Sequence, residues 1–188
     1  EKLQAGNFDQ FSMNRSLYGS VCGILGFGGI GKATARLMKA FGAKVYAINT
    51  SGKTDEDVDF IGTLNDLEYV LSNSNIVVIS LPLSNSTRGL IGERELSWMK
   101  SDAILVNVAR GEIIQEGPFY EFLKSHPNFK AGIDAWWIEP FRHGKFQMNY
   151  PFVELPNVLG SPHNSGMVPE AIKDATVDAS ENIARYVM

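Results

Sequence analysis

Short runs in which nearly every residue is apolar alternate along this chain with longer stretches whose apolar positions recur at helical spacing. The first run, 21–25 (VCGIL), leads through Gly26-Phe27-Gly28-Gly29-Ile30-Gly31 into a segment of Ala, Arg, Leu, Met and Lys, an order that predicts strand, tight turn and helix. Phe41-Gly42 stops that helix, and 43–48 (AKVYAI) predicts a second strand. A polar loop covers 49–59, and Thr63 is placed to cap a short helix through Ser72. Residues 75–81 (NIVVISL) predict a third strand, ended by Pro82. A short helix over 93–99, a fourth strand over 103–108 (AILVNV), a helix over 116–125 and a fifth strand over 130–135 (KAGIDA) follow. The stretch 157–160 is short and apolar, and 169–187 has the spacing of a closing amphipathic helix. Residues 1–18, polar with scattered aromatics, read as a helix and linker leading into one domain over 19–188. No internal repeat interrupts the series.

Strands that are apolar on both faces and alternate with helices predict an α/β fold, a doubly wound parallel sheet covered on both sides. Ligands of such sheets collect beyond the carboxyl ends of the strands. The residues in those places are 49–53, Pro82, Ala109 and Arg110, 134–139, and His163. The G-x-G-x-x-G run stands between a strand and a helix, the context that gives it meaning. Gly26 permits the sharp turn, Gly28 lets a pyrophosphate approach the backbone, and Gly31 lets the helix pack closely on the strand. The amides and the dipole of the helix N-terminus then face phosphate oxygens. Dinucleotide binding in a Rossmann-type sheet is the reading these features support.

Composition narrows the setting. The chain has 188 residues, 44% of them hydrophobic, enough for a real core. Its 17 basic and 21 acidic side chains leave a net charge of -4, so nothing invites nucleic acid or an anionic membrane surface. One cysteine, Cys22, lies inside the first strand as a buried, inert thiol and forms neither an internal disulfide nor a zinc cage. The expected setting is a reducing cytoplasm, without metal. No leader and no run long enough to span a membrane is expected.

The end of the second strand, about 20 positions past the glycines, usually carries an acid that bonds the adenosine ribose in NAD sites. Here that place holds Asn49, followed by Thr50, Ser51, Gly52 and Lys53. No carboxylate repels a 2′-phosphate, and Lys53 attracts one. Alternatively, Asn49 bonds the ribose and Lys53 is merely solvated. The cofactor is NAD or NADP, with a slight lean to NADP.

Five segments, LGFGGIGKATARLMKAFG, LPLSNSTRGLIGERELSWMK, ILVNVARGEII, AGIDAWWIEP and SPHNSG, occur in this order, and the chain from about Leu17 onward resembles the D-isomer-specific 2-hydroxyacid dehydrogenases. The resemblance implies a catalytic set of Arg110, Glu139 and His163. Oxidising a 2-hydroxy acid moves a hydride from C2 to nicotinamide C4 while a base takes the hydroxyl proton. An imidazole exchanges such a proton near neutrality. Glu139 would orient the ring and favour its imidazolium form, and the Arg110 fork would hold the substrate carboxylate and carbonyl oxygen. The same resemblance implies that Gly29 and Ile30 contact the pyrophosphate, that Pro82 and Thr87 line the cofactor groove, and that Val108 and Ala109 border its nicotinamide end. It further implies that Asp134 reaches the carboxamide and that the backbone of His163, Ser165 and Gly166 lies beside the nicotinamide. Of Trp136 and Trp137, one is expected in the core and the other narrowing the substrate pocket. His126 and His143 gain no such role.

Departures and alternatives remain. Family members are longer, with a split substrate domain, and this chain begins near the helix that links into the cofactor domain. The expectation is a cofactor domain with little turnover alone, acting with a small 2-hydroxy or 2-oxo acid. Glu139 disfavours the formate-dehydrogenase branch, which typically has glutamine there. The aromatic, basic stretch 141–151 and the N-terminal segment are candidates for a homodimer contact. The alternative function is a non-enzymatic, dinucleotide-sensing binding protein, because relatives of the corepressor type keep the same three residues.

Overall fold

A computed structural model of the chain describes residues 6, 8, 10, 11 and 13–187. Seven strands form one all-parallel sheet: β1 (Val21–Leu25), β2 (Lys44–Ile48), β3 (Phe60–Gly62), β4 (Ile76–Ile79), β5 (Ile104–Asn107), β6 (Lys130–Ile133) and β7 (Val158–Gly160). Their spatial order is β3-β2-β1-β4-β5-β6-β7, so the direction of winding reverses between β1 and β4. That reversal opens a crevice beyond the carboxyl ends of those two strands, where doubly wound sheets take their ligands. The described residues form six helices: α1 (Gly29–Ala40), α2 (Leu67–Asn73), α3 (Glu93–Trp98), α4 (Glu116–Ser125), α5 (Pro140–His143) and α6 (Pro169–Val187).

Side chains alternate across each strand, which splits the core into two layers. Cys22, Ile24, Val45, Ala47 and Val78 pack with Ala35 of α1 and Phe27. Leu25, Ile48, Val77, Ile79 and Leu105 face the opposite way, toward the core residues of α2, α3 and α4. Cys22 is fully buried, as expected, and burial pushes its thiol up to about 12.

The structure differs from the sequence reading at β3 and at the turn ahead of α2. β3 begins where a loop was expected to end, because a three-residue edge strand is too short to show a period. The Tyr46, Phe60 and Tyr69 rings hold it, with centroids 4.8 to 5.7 Å apart. Thr63 caps a 3-10 turn over Leu64–Asp66 ahead of α2, accepting from Asn65 N, while Asp66 accepts from Thr63 N. The helix and linker expected over 1–18 fall partly outside the described residues. Residues 13–16 are not helical, and Arg15 pairs there with Asp102. α6 is exposed along nearly its whole length, with Val177 and Ile183 on the surface. No described helix is long and apolar enough to cross a membrane.

Candidate active site

The glycine turn follows directly from backbone sterics. Gly26 has φ +101°, and a Cβ there would lie 2.7 Å from Leu81 N at the end of β4. A Cβ on Gly31 would lie 2.2 Å from Gly26 O, so only glycine lets α1 sit this close to the turn. Gly28 and Gly29 by contrast face open space, and the N-terminus of α1 has no side-chain cap. Its first amides are therefore left for an outside acceptor, with room for one, as a pyrophosphate site requires.

Across the crevice, Ile30, Pro82, Val108, Ala109 and Arg110 border a groove that also touches Ser80, Leu83 and Arg142. Thr87 is not among them. Its hydroxyl donates to Pro82 O at 2.7 Å and accepts from Ser84 N at 2.8 Å, so it closes the loop that presents Pro82. At the adenosine end, Asn49 is committed to its own loop. Its Oδ1 accepts from Ser51 N and Gly52 N, and its Nδ2 donates to Lys53 O. Thr50, Ser51 and Lys53 are exposed around it. Lys32 and Arg36 of α1 are paired with Asp55 and Glu56 on the following loop.

Arg110, Glu139 and His163 converge on one recess of about 850 Å³ beyond β5, β6 and β7. Both oxygens of Glu139 lie 2.8 Å from His163 Nδ1, which leaves Nε2 as the nitrogen for a reacting proton. Glu139, nearly buried, also accepts from Trp136 N at 2.7 Å, so its carboxylate is fixed from two sides. Pro140 begins α5 immediately after Glu139, and Glu139 N donates to His143 Nδ1 at 3.1 Å. His143, given no role by the sequence, thus steadies the residue that holds the His163 imidazole. His126 caps α4 and stacks on Phe122, and it does not line this recess.

Asp134 fixes the segment that carries His163. It accepts from Ser161 Oγ at 2.6 Å and Asn164 N at 3.2 Å through one oxygen, and from Ser165 N at 3.3 Å through the other. Burial opposes its ionisation, but the bonds from Ser161, Ser165 and Asn164 outweigh that and hold the carboxyl below its usual range. Most of its acceptor capacity therefore goes to this loop. Gly166 lies past the loop, against the face of α6 that carries Ala171 and Ala175.

Two positioning contacts escaped the sequence reading. Asn107, 1% exposed, accepts from Ala109 N and donates to Arg110 O, so it pins the Arg110 loop to β5. A polar residue inside the apolar run AILVNV was the signal for it. Arg142 grips Glu112 through both carboxylate oxygens, at 2.8 and 3.0 Å, tying α5 to the turn after Arg110. Both tryptophans are buried in one core cluster: Trp137 stacks on Phe152 with centroids 5.0 Å apart, and Trp136 also borders the recess. Among the described residues no cluster of three metal-ligating side chains occurs.

A doubly wound sheet with a glycine turn at its switch point defines a nucleotide-binding domain, here with an imidazole–carboxylate pair beside an arginine. The family model for "D-isomer specific 2-hydroxyacid dehydrogenase, NAD binding domain" matches residues 1–165, and the chain belongs to that family. A glyoxylate reductase of Thermococcus gammatolerans is 35% identical over 175 residues, covering 93% of this chain and 48% of the relative. A solved D-isomer specific 2-hydroxyacid dehydrogenase family protein from Aeromonas salmonicida superposes with a TM-score of 0.84 at 29% identity, covering 99% of this chain and 58% of that one. A glycerate dehydrogenase related protein from Thermoplasma acidophilum gives 0.78 at 33% identity, covering 99% and 62%. The chain spans about half the length of the curated relatives it matches. The cofactor of the domain is a nicotinamide dinucleotide.

Proposed function

We propose that the protein transfers a hydride between a nicotinamide cofactor and a D-2-hydroxy acid or its 2-oxo acid. The observation that carries this is the Glu139–His163 pair at 2.8 Å in a recess that Arg110 shares with the crevice groove. The glycine turn fits the cofactor: the unfilled space at Gly28 and Gly29 and the uncapped amides of α1 suit its pyrophosphate. Ile30, Pro82, Val108 and Ala109 would line its path, and the backbone near Ser165 would border the ring. When bound, the nicotinamide supplies the hydride acceptor or donor. The protein's own part is positional. Arg110 holds the carboxylate, His163 Nε2 passes the proton to or from the C2 oxygen, and Glu139 keeps Nδ1–H in place and balances the imidazolium charge.

His163→Ala should lower turnover by about 10²- to 10⁴-fold, the range of a general acid–base group, and leave nucleotide affinity intact. Unchanged turnover would refute the assignment. Preference for NADP is part of the proposal. Asn49 is occupied within its loop, no acid takes its place, and the Lys53 ammonium has no partner among the described residues. Calorimetric titration with NAD, NADH, NADP and NADPH tests it. Tighter binding of the phosphorylated pair, lost in Lys53→Ala, supports it, and equal or weaker binding overturns it. A homodimer with the fully exposed Phe141 in its contact, and a cytoplasmic setting consistent with one buried free thiol, complete the reading. No feature of the described residues favours the non-enzymatic alternative.

A further inference from the structure

The recess that holds the Glu139–His163 pair is lined by Arg110, Glu139 and His163 together with Arg142, which pairs with Glu112, and otherwise largely by apolar groups, among them Trp136, Phe141, Phe146, Val153, Pro162 and Met167. Trp136 forms a fixed wall: its Nε1 donates to Ser161 O at 2.8 Å, and its ring fills the place a Cβ would take on Gly160. Phe146 stands edge-on to it, centroids 5.8 Å apart at 86°, and is half exposed, as are Val153 and Met167. The recess, about 850 Å³ and open on the side of Phe146, Val153 and Met167, has room for more than a two- or three-carbon acid. Water in the part such an acid left empty would find few hydrogen bonds at these apolar walls.

We propose that the substrate is a 2-oxo or 2-hydroxy acid with a bulky apolar side chain, of about four carbons or more. Its acid head meets Arg110 and His163, and its tail lies against Trp136, Phe146, Val153 and Met167. This rests on the dehydrogenase reading for the placement of the head, and on the apolar wall alone for the tail.

The test is calorimetric titration of glyoxylate, pyruvate, 2-oxobutanoate, 4-methyl-2-oxopentanoate and phenylpyruvate into the chain saturated with oxidised nucleotide, so that no turnover intervenes. Affinity should rise along the series by at least about tenfold from pyruvate to 4-methyl-2-oxopentanoate, the low end for added methylenes in an apolar pocket. The heat-capacity change should become more negative in step. Val153→Asp, at an exposed position of a 3-10 turn, should compress that range, and Phe146→Ala should do so through a second residue. A flat or descending series, a series that neither variant alters, or no binding by any member overturns the proposal. Arg110→Ala separates the two readings. Equal weakening of every acid supports both, whereas a rising series untouched by that variant keeps the apolar tail and refutes Arg110 as the carboxylate site.

Discussion

Asn107 ends β5 with its amide turned back into the loop that carries Arg110. Asn107→Asp keeps the volume and the acceptor for Ala109 N, 3.0 Å away, and removes the donor to Arg110 O, 2.9 Å away. Arg110 O keeps Ile113 N, 3.3 Å away, as its other donor, so the loss is that of one hydrogen bond, about 0.5–1.5 kcal/mol. Taking about 1 kcal/mol, and roughly 2–4 °C per kcal/mol for a domain of this size, the melting temperature should fall by about 2–4 °C at pH 8. The new carboxyl, in a site only 1% exposed, has its neutral form favoured by burial, and that form regains an O–H donor for Arg110 O. Its folded-state pKa is then raised, so the restored bond is present below the carboxyl's unfolded pKa and is lost as pH rises through the folded one. The defect should therefore shrink at pH 5. Because Arg110 hangs from the released loop, affinity for a 2-oxo acid should drop by about tenfold, a few tenths of an ångström of misplacement sufficing. Nucleotide affinity should hold. Scanning calorimetry at both pH values and two titrations decide the matter. An unchanged melting temperature, or nucleotide affinity falling as far as acid affinity, would refute the reasoning.

Gly31→Ala forces a Cβ to within 2.2 Å of Gly26 O, so α1 must retreat by about 1 Å; overpacking of this kind costs about 1–3 kcal/mol, and nucleotide titration should show at least tenfold weaker binding. Asp134, its carboxyl held below the usual range, contributes stability that is present above the unfolded value of about 3.9 and is lost as pH falls through the depressed folded value. Asp134→Asn should therefore be less stable than the parent at neutral pH, and acid titration followed by circular dichroism should show the gap closing below about pH 4.

What could be read from the sequence was local, and what could not was tertiary. The strand, the glycine turn and α1 are adjacent in the chain, so their apolar period and glycine spacing predict both the element and its ligand. Arg110, Glu139 and His163 were legible as strand-end positions of a parallel sheet, where place along the chain implies place in space, and as a set only through the family resemblance. β3 was not, since three residues carry no period and its stability comes from Tyr46 and Tyr69 on other elements. The identity of Asn49 was plain, but its hydrogen bonds were not. Only the folded loop shows its amide taken up by Ser51, Gly52 and Lys53. Asp134 reads as an acid at a strand end, which suits a ligand contact. Its partners Ser161, Asn164 and Ser165 lie 27 to 31 residues downstream, and no pattern within one element links them.

Those long-range bonds explain how the site tolerates its one conformational anomaly. Among the described residues, His163 alone departs from glycine in adopting positive φ, at +52°. Such a backbone costs on the order of 1–3 kcal/mol and persists only where the surroundings over-determine it. Here Ser161 N is anchored on Ile133 O at 2.9 Å, extending the β6 ladder to within two residues of the histidine. On the far side, Asn164 N and Ser165 N are held by Asp134, and the imidazole is held by Glu139. Relaxing φ would swing the ring away from Glu139 and also turn the Asn164 amide from Asp134, breaking two charge-assisted bonds together. Each such bond contributes about 1.5–3 kcal/mol, so together they exceed the strain. The same carboxylates that hold the turn thereby decide which imidazole nitrogen faces the recess. Weakening Asp134 should consequently impair proton transfer at His163 without any change in the residues that touch substrate.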